Sequence, residues 1–241
     1  YVVTAIGTPH TIGTGGFSKV VIVDLKFPDG SIIKSARKQI KSDDKDDDTE
    51  ELFAQELSIL RALKHENIIK MIGKDSKQLY IYLEFCDGGD LLTLAGKLDW
   101  SSTLNIARQL ACALEYMHYV KHIAHLDLKP DNVLVKKPLT VKICDFNSSK
   151  KVNSKGEATI DIFTEDVTPP EHIRKEIVFG KCFPHDVWAF GITIYRVYMN
   201  KYPWKSASKL NSTYRKWMTK KRICDTFLNA NEKSHEFAGM F

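Results

Sequence analysis

The sequence has no cysteines spaced as a metal knuckle or a redox dithiol. Its five cysteines, Cys86, Cys112, Cys144, Cys182 and Cys224, are scattered and odd in number, and no CxxC occurs. A disulfide framework or a zinc site is therefore not expected, and a reducing, intracellular and cytoplasmic setting is. Long apolar runs are also lacking. The longest, VWAFGITIYRVYM at 187–199, is interrupted by Arg196 and falls short of the roughly 20 apolar residues that span a bilayer. No signal peptide is recognisable, no repeat is visible, and the chain opens at Tyr1 rather than Met, as a fragment would. A strong charge of one sign is missing too: the net +5 permits an acidic partner without demanding one, and no nucleic-acid partner is expected. What remains is 241 residues, 43% hydrophobic and 27% charged, the composition of a globular protein with one large domain or two small lobes.

The first 85 residues read mostly as strands. KVVIVDLKF and SIIKSARKQI flank PDG at 28–30, a turn with Pro and Gly where a hairpin wants them. The acidic run at 42–51 reads as a solvated loop whose last acids favour the start of the next helix; docking of a basic partner is the alternative. In that helix Leu52, Phe53, Ile59, Leu60 and Leu63 form an apolar stripe with Glu56 in its middle. A carboxylate there is either at the rim or paired with a cation. QLYIYLEF at 78–85 is another strand, and DGG at 87–89 breaks regular structure. Leu104, Ala107, Ala111, Leu114 and Met117 recur at helical spacing and are expected in a core. Asp186 to about Met199 is apolar nearly all round, which predicts a buried helix.

Certain residues carry chemistry. Glycines at 13, 15 and 16 would let a strand–turn–strand approach a phosphate, although a glycine turn alone is weak evidence. Lys38 follows on the next strand and is the natural cation for Glu56. HLDLKPDN at 125–132 taken alone is either a polar turn or a catalytic loop. Phosphoryl transfer needs a phosphate cradle, a cation, oxygen ligands for Mg²⁺ and a carboxylate for the attacking hydroxyl. Asp127 suits the hydroxyl, Lys129 the moving charge, and Asn132 with Asp145 the metal.

In their order these segments resemble those of a eukaryotic-type protein kinase. GTGGFSKV at 13–20 resembles the glycine-rich loop, and ARK ending at Lys38 the lysine strand. Glu56 resembles the helix glutamate that pairs with that lysine. HLDLKPDN resembles H-R-D-x-K-x-x-N, DFN at 145–147 resembles D-F-G, PPE at 169–171 resembles A-P-E, and DVWAFG at 186–191 resembles D-x-W-x-x-G. The resemblance implies an α+β, bilobal fold. A small antiparallel sheet lobe with one helix would span 1–85, and a larger, mainly α-helical lobe 86–241. It implies ATP and Mg²⁺ as cofactors and a protein Ser or Thr as substrate. Nucleotide contacts would come from Ile12, Gly13, Gly15, Gly16, Val20, Ala36, Lys38, Glu56, the backbones of Glu84 and Cys86, and from Asp90, Leu134 and Asp145, with Leu83 as gatekeeper. Asp127, Lys129 and Asn132 would be catalytic, and Asn132 and Asp145 would hold the metal. Leu60, Met71, His125 and Phe146 match the family's stacked spine. That duty of His125 argues against a zinc site at His118, His122 and His125. Thr164 matches a threonine placed near the catalytic Asp and Lys.

The departures are Ser18 for the third glycine, Leu126 for the Arg of H-R-D, and Asn147 for the glycine of D-F-G. Asn147 is expected to accept a left-handed backbone. TEDV precedes PPE, and no arginine matches the usual partner of Glu171. Two rivals follow: a catalytically silent kinase fold acting as a binding module, and a small-molecule kinase of related fold. The run from Lys205 to Arg222 holds seven Lys and Arg residues and reads as a solvated surface or a dock for an acidic partner. Leu126 has no donor for a phosphate on the activation segment, so control by phosphorylation of that segment is not expected.

Overall fold

The computed structural model describes residues 3–14, 18–40, 47–161, 164–173 and 177–220. Gly15 and Gly16, residues 42–46 of the acidic run, and Lys221, Arg222 and Cys224 lie outside them. Two compact units are present, Tyr1–Asp87 and Gly88–Phe241.

The first unit contains β1 (Thr4–Thr14), β2 (Ser18–Lys26), β3 (Ile32–Ile40), α1 (Asp47–Ala62), β4 (Met71–Asp75) and β5 (Tyr80–Glu84). The strands form one antiparallel sheet in the order β1-β2-β3-β5-β4. Period-two alternation sends Val21, Val23 and Leu25 of β2 into a core with Tyr82. The β2–β3 hairpin turns at Asp29 and Gly30. Asp29 Oδ1 accepts from Ser31 N at 2.9 Å, and Gly30 takes φ 84°, a left-handed conformation that costs glycine little. Because α1 begins at Asp47, the last acids of the run fall in its first turn, where the helix dipole favours negative charge. Its buried stripe is Phe53, Glu56, Leu57, Leu60 and Leu63, with Ile59 beside it. Leu52, expected in the stripe, lies at its edge near the helix start and is 44% exposed.

The second unit begins with a short 3-10 turn at Leu91–Leu94, followed by α2 (Trp100–Glu115) and a π-helical turn at Tyr116–Val120. Asp99 caps α2 by accepting from Ser102 N at 2.7 Å. Then come β6 (Ile123–Ala124), β7 (Val133–Lys136), β8 (Thr140–Ile143), β9 (Lys150–Lys151), β10 (Glu157–Asp161) and β11 (Ile177–Lys181). They pair antiparallel as β6–β9, β7–β8 and β10–β11. The helices α3 (Cys182–Met199) and α4 (Ser212–Lys220) are the last described elements of the unit. α3 is buried along most of its length and stops at Asn200, whose φ of 54° is left-handed. Gly96 packs against that stop: its N–H donates to Val197 O at 2.7 Å, and a Cβ there would lie 2.8 Å from Asn200 Cβ. No described helix is long and apolar enough to cross a membrane.

The core face of α2 differs from the expected one. Ala107, Leu114 and Met117 are buried, but Leu104 is 40% exposed and Ala111 is exposed. The observed face is Thr103, Ile106, Ala107, Leu110, Ala113 and Leu114, which follows i, i+3, i+4, i+7 from Thr103. Thr103 can sit inside because its hydroxyl donates to Asp99 O at 2.8 Å. Leu110→Ala is accordingly expected to cost about 2–5 kcal/mol, and Leu104→Gln no more than about 0.5 kcal/mol. Urea denaturation of the two variants checks this; the reverse order would restore Leu104 to the core.

Candidate active site

In the first unit, β3 carries Lys38 between its register partners Val20 of β2 and Ile81 of β5. Its Nζ lies 2.6 Å from Glu56 Oε1, and both side chains are almost wholly buried. Glu56 is thus an inward carboxylate with a cation rather than a rim residue. A charge so placed is tolerable only when paired, since the unpaired ion would lose its hydration without return. Ala36 shares the Lys38 face and registers with Ile22 and Leu83. Ile12 is 49% exposed on β1. Gly13 registers with Val20, and a Cβ at Gly13 would meet Val20 Cβ at an ordinary 3.9 Å, so packing within the sheet does not require glycine there. At the end of β5, Glu84 N donates to Lys70 O at 2.9 Å and Glu84 Oε1 accepts from Lys70 N at 2.8 Å. Cys86, just beyond, is buried.

In the second unit, a closed set of hydrogen bonds surrounds Asp127. Its Oδ1 accepts from Thr164 Oγ1 at 2.7 Å. Its Oδ2 accepts from Lys129 Nζ at 2.8 Å and from Asn132 Nδ2 at 2.9 Å. Lys129 also donates to Thr164 Oγ1 at 2.9 Å, and Asn132 Nδ2 to Asp127 O at 2.8 Å. Asp145 takes φ 61°, and Asn147 is not among the residues of positive φ. The expectation that Asn147 would be left-handed is therefore corrected. Cys144 is tied on both sides, its N–H to Asn132 O at 2.9 Å and its carbonyl to His125 Nε2 at 3.0 Å, so the chain changes direction at the next residue, Asp145. The His125 ring also meets Phe146 edge-on, with centroids 5.3 Å apart. Asp90 caps the 3-10 turn by accepting from Thr93 N at 2.9 Å and bridges Leu134 through the backbone.

The feature that sequence reading missed is what fixes this loop. Asp186, near the start of α3, is fully buried. It accepts from Leu126 N at 2.7 Å and His125 N at 2.8 Å, and pairs with His118 Nε2 at 2.8 Å. Burial alone would raise its pKa, but His118, His125 and the Leu126 amide hold the carboxyl below its ordinary range. The signal was available: an acid opening an otherwise apolar helix demands partners, as Glu56 does. His118 and His125 thus direct ring nitrogens at protein acceptors.

The run after Asp145 meets this loop through apolar packing and a hydrogen bond, and an ion pair lies within it. Leu126 is packed in an apolar cluster with Ala124, Ile160 and Cys182, bordered by Val152, Ala158 and Phe183. Lys150 Nζ lies 3.2 Å from Asp161 Oδ2. Ser149 Oγ, buried, donates to His125 O at 3.1 Å. Glu171 is exposed and lines an apolar cavity of about 690 Å³ with Trp188, Tyr195, Trp204 and Trp217, which holds none of the residues around Asp127.

A family profile described as protein kinase domain matches residues 7–239. Among curated relatives, the serine/threonine-protein kinase chk-1 of Caenorhabditis elegans is 29% identical over 87% of this chain and 43% of its own length. The serine/threonine-protein kinase par-4 of the same organism is 33% identical over 80% of this chain and 33% of its own. Aurora kinase C of Mus musculus is 32% identical over 88% of this chain and 75% of its own. The chain thus spans less than half the length of the first two.

Asp186→Asn would turn an amide N–H toward a backbone N–H and weaken three charge-assisted bonds. A loss of about 3 kcal/mol or more is expected, read by denaturation, with faster hydrogen exchange at His125–Asp127. Because the Asp186 carboxyl titrates lower when folded, its contribution is present above the ordinary value of 3.8 and is lost as pH falls below it. The variant should lack that part of the acid dependence.

Proposed function

Because this chain belongs to the eukaryotic-type protein kinase family, we propose that it transfers the γ-phosphoryl group of ATP, with Mg²⁺, to Ser or Thr hydroxyls of protein substrates. The closed hydrogen-bond set of Asp127, Lys129, Asn132 and Thr164 carries this reading. It presents a carboxylate, a cation and a hydroxyl at hydrogen-bond distance, the parts a hydroxyl nucleophile needs.

The donor set fits the proposed ligands. Asn132 Oδ1 and the Asp145 carboxylate are hard oxygens suited to Mg²⁺. Bound there, the metal would neutralise charge on the phosphates. Lys38, held by Glu56, would contact the phosphates, and Gly13, Gly15 and Gly16 would let backbone approach them. Glycine at 13, which packing does not require, supports that role. Val20, Ala36 and Leu134 would flank the adenine, with the backbones of Glu84 and Cys86 on its edge, Ile12 beside it and Asp90 toward the ribose. In the transfer, the substrate hydroxyl oxygen bonds to the γ-phosphorus as the bond to the β–γ bridging oxygen breaks. Asp127 takes the hydroxyl proton, Lys129 offsets charge on the moving phosphoryl, and ADP leaves. Lys205, Lys209, Arg215 and Lys216 are exposed, and their charge supports docking of an acidic protein partner.

Asp127→Asn is expected to lower transfer about 10²–10⁴-fold while ATP affinity is retained. Lys38→Met should lose transfer and loosen α1, because Glu56 is left buried without its cation. Steady-state turnover, nucleotide-binding titration and hydrogen exchange over α1 measure these. Wild-type turnover in Asp127→Asn would reject the assignment; ATP binding with no transfer by the unmodified protein would favour the binding-module rival.

The apolar seat of Leu126 against Ile160 and the Lys150–Asp161 pair support an activation segment ordered without phosphate. Phosphatase treatment, or Ala at Ser148, Ser154 and Thr159, is expected to change turnover less than about tenfold, or 1.4 kcal/mol. Ser149 and Thr164 are left intact, because their hydroxyls hold His125 O and Asp127. A larger loss, restored by rephosphorylation, would refute phosphate-independent ordering.

A further inference from the structure

A pair of histidines lies outside the chemistry assigned above. His172, in the turn after Pro169, and His185, on the first turn of α3, are 6% and 2% exposed. Their Nδ1 atoms are 3.0 Å apart, and the rings stack with centroids 5.2 Å apart and 25° between planes. A hydrogen bond between two imidazole nitrogens needs one donor and one acceptor. The bond therefore exists when the pair is neutral. It also survives a first added proton, which goes to the outer nitrogen of the donor ring. A second added proton has only the acceptor Nδ1 left, and there it would set two N–H groups against each other.

The pair closes a circuit through the proposed active site. From His172 the chain runs back through a hydrogen-bonded turn, with His172 N donating to Pro169 O at 3.0 Å. Thr168 Oγ1 then donates to Thr164 O at 2.7 Å, and Thr164 Oγ1 donates to Asp127. From His185 the next residue is Asp186, which holds the amides of His125 and Leu126 beside Asp127. The imidazole bond is thus one join between the run that carries Thr164 and the helix whose Asp186 holds the loop.

We propose that His172 and His185 are positioning residues that hold Thr164 against Asp127 through one shared proton, and that this hold is released only when the neutral pair has taken up two further protons. The proposal rests on the phosphotransfer reading for its effect on activity, but not for its effect on structure. The charged groups facing His185 are Asp186 beside it, Glu171 from the turn and Asp127 from the loop. His118, bonded to Asp186, is the other titratable neighbour on that acid. Burial lowers the His185 pKa, and His172 lowers it further, against the pull of the three acids. An imidazole depressed on folding binds its proton more weakly folded than unfolded. The hold is therefore complete above the ordinary value of 6.5 and is lost as pH falls below it.

The test is a pH profile of kcat and of KM for ATP, with wild type beside His185→Asn, His172→Asn and His185→Phe. An Asn amide reaches the position of Nδ1 and bonds without titrating. Wild-type kcat should fall at least about tenfold on acidification while the protein stays folded, with the fall lying below the ordinary value of 6.5. The Asn variants should hold neutral-pH kcat within about threefold and lose that fall, leaving only the limb shared by all variants. His185→Phe should lower kcat about tenfold at neutral pH with KM for ATP unchanged. Profiles in the Asn variants that match wild type would overturn the proposal. Nitrogen-15 NMR of wild-type imidazoles, which needs neither activity nor a variant, is the second readout. The Thr164 methyl resonance is expected to move with the pair's second proton. Independent titration of the two rings with a fixed Thr164 methyl would also overturn it. A protein inactive at every pH would reject the kinase reading, and the NMR result would still decide the pair.

Discussion

A carboxylate without access to water must find its hydrogen bonds inside the protein, and Asp186 finds them on the loop that leads to Asp127. The loop's backbone is not relaxed. Leu126 takes φ 66°, a conformation costing a bulky L-residue about 1–3 kcal/mol. Hydrogen bonds to a charged acceptor contribute about 1.5–3 kcal/mol each. Two of them, from the amides of His125 and Leu126, therefore outweigh the strain with some excess. The shape of the loop follows from this balance, and so do the places where Asp127 can put its two oxygens.

The same balance explains which parts of the molecule could be read in advance. Lys38 and Glu56 were legible because a buried charge in an apolar stripe has few solutions. Asp127, Lys129 and Asn132 could be singled out because phosphoryl transfer restricts the residue types, whereas Thr164 was pointed to only by the family resemblance. The register of α2 was not legible: Leu104 and Ala111 are apolar on the outer face while Thr103 is polar on the inner one, so composition pointed along the wrong line. Thr103 reaches the interior only because Asp99 O accepts its hydroxyl hydrogen, a contact no pattern of apolar residues reports. Asn147 failed as an expectation for a related reason. Tolerance of a left-handed backbone is a property of the residue, but the need for one is set by where the chain is pinned, and the pins on Cys144 place it at Asp145.

Leu126 shows how one substitution changes the kind of force in use. A guanidinium at that position would be a donor waiting for an anion. A leucine has only area to offer, and the residues around it, Ile160, Ala158 and Val152 among them, accept that offer. Apolar contact is less directional than an ion pair and is not screened by salt. At Leu126 itself, contact with this run therefore rests on side-chain shape and not on an ion pair.

The β10–β11 ladder has a consequence in polymer terms. Its pairing from Glu157 with Lys181 to Asp161 with Ile177 joins the two ends of the chain that contains Thr164. A chain fixed at both ends samples far fewer arrangements than a free one, and closing it carries an entropy cost that grows only as the logarithm of length, about 0.6 kcal/mol per doubling. The ladder bears that cost in backbone hydrogen bonds away from the reacting atoms. Added residues between Asp161 and Ile177 would thus dilute the local concentration of the Thr164 hydroxyl at Asp127 slowly, leaving this stretch room to vary in length while its ends stay where they are.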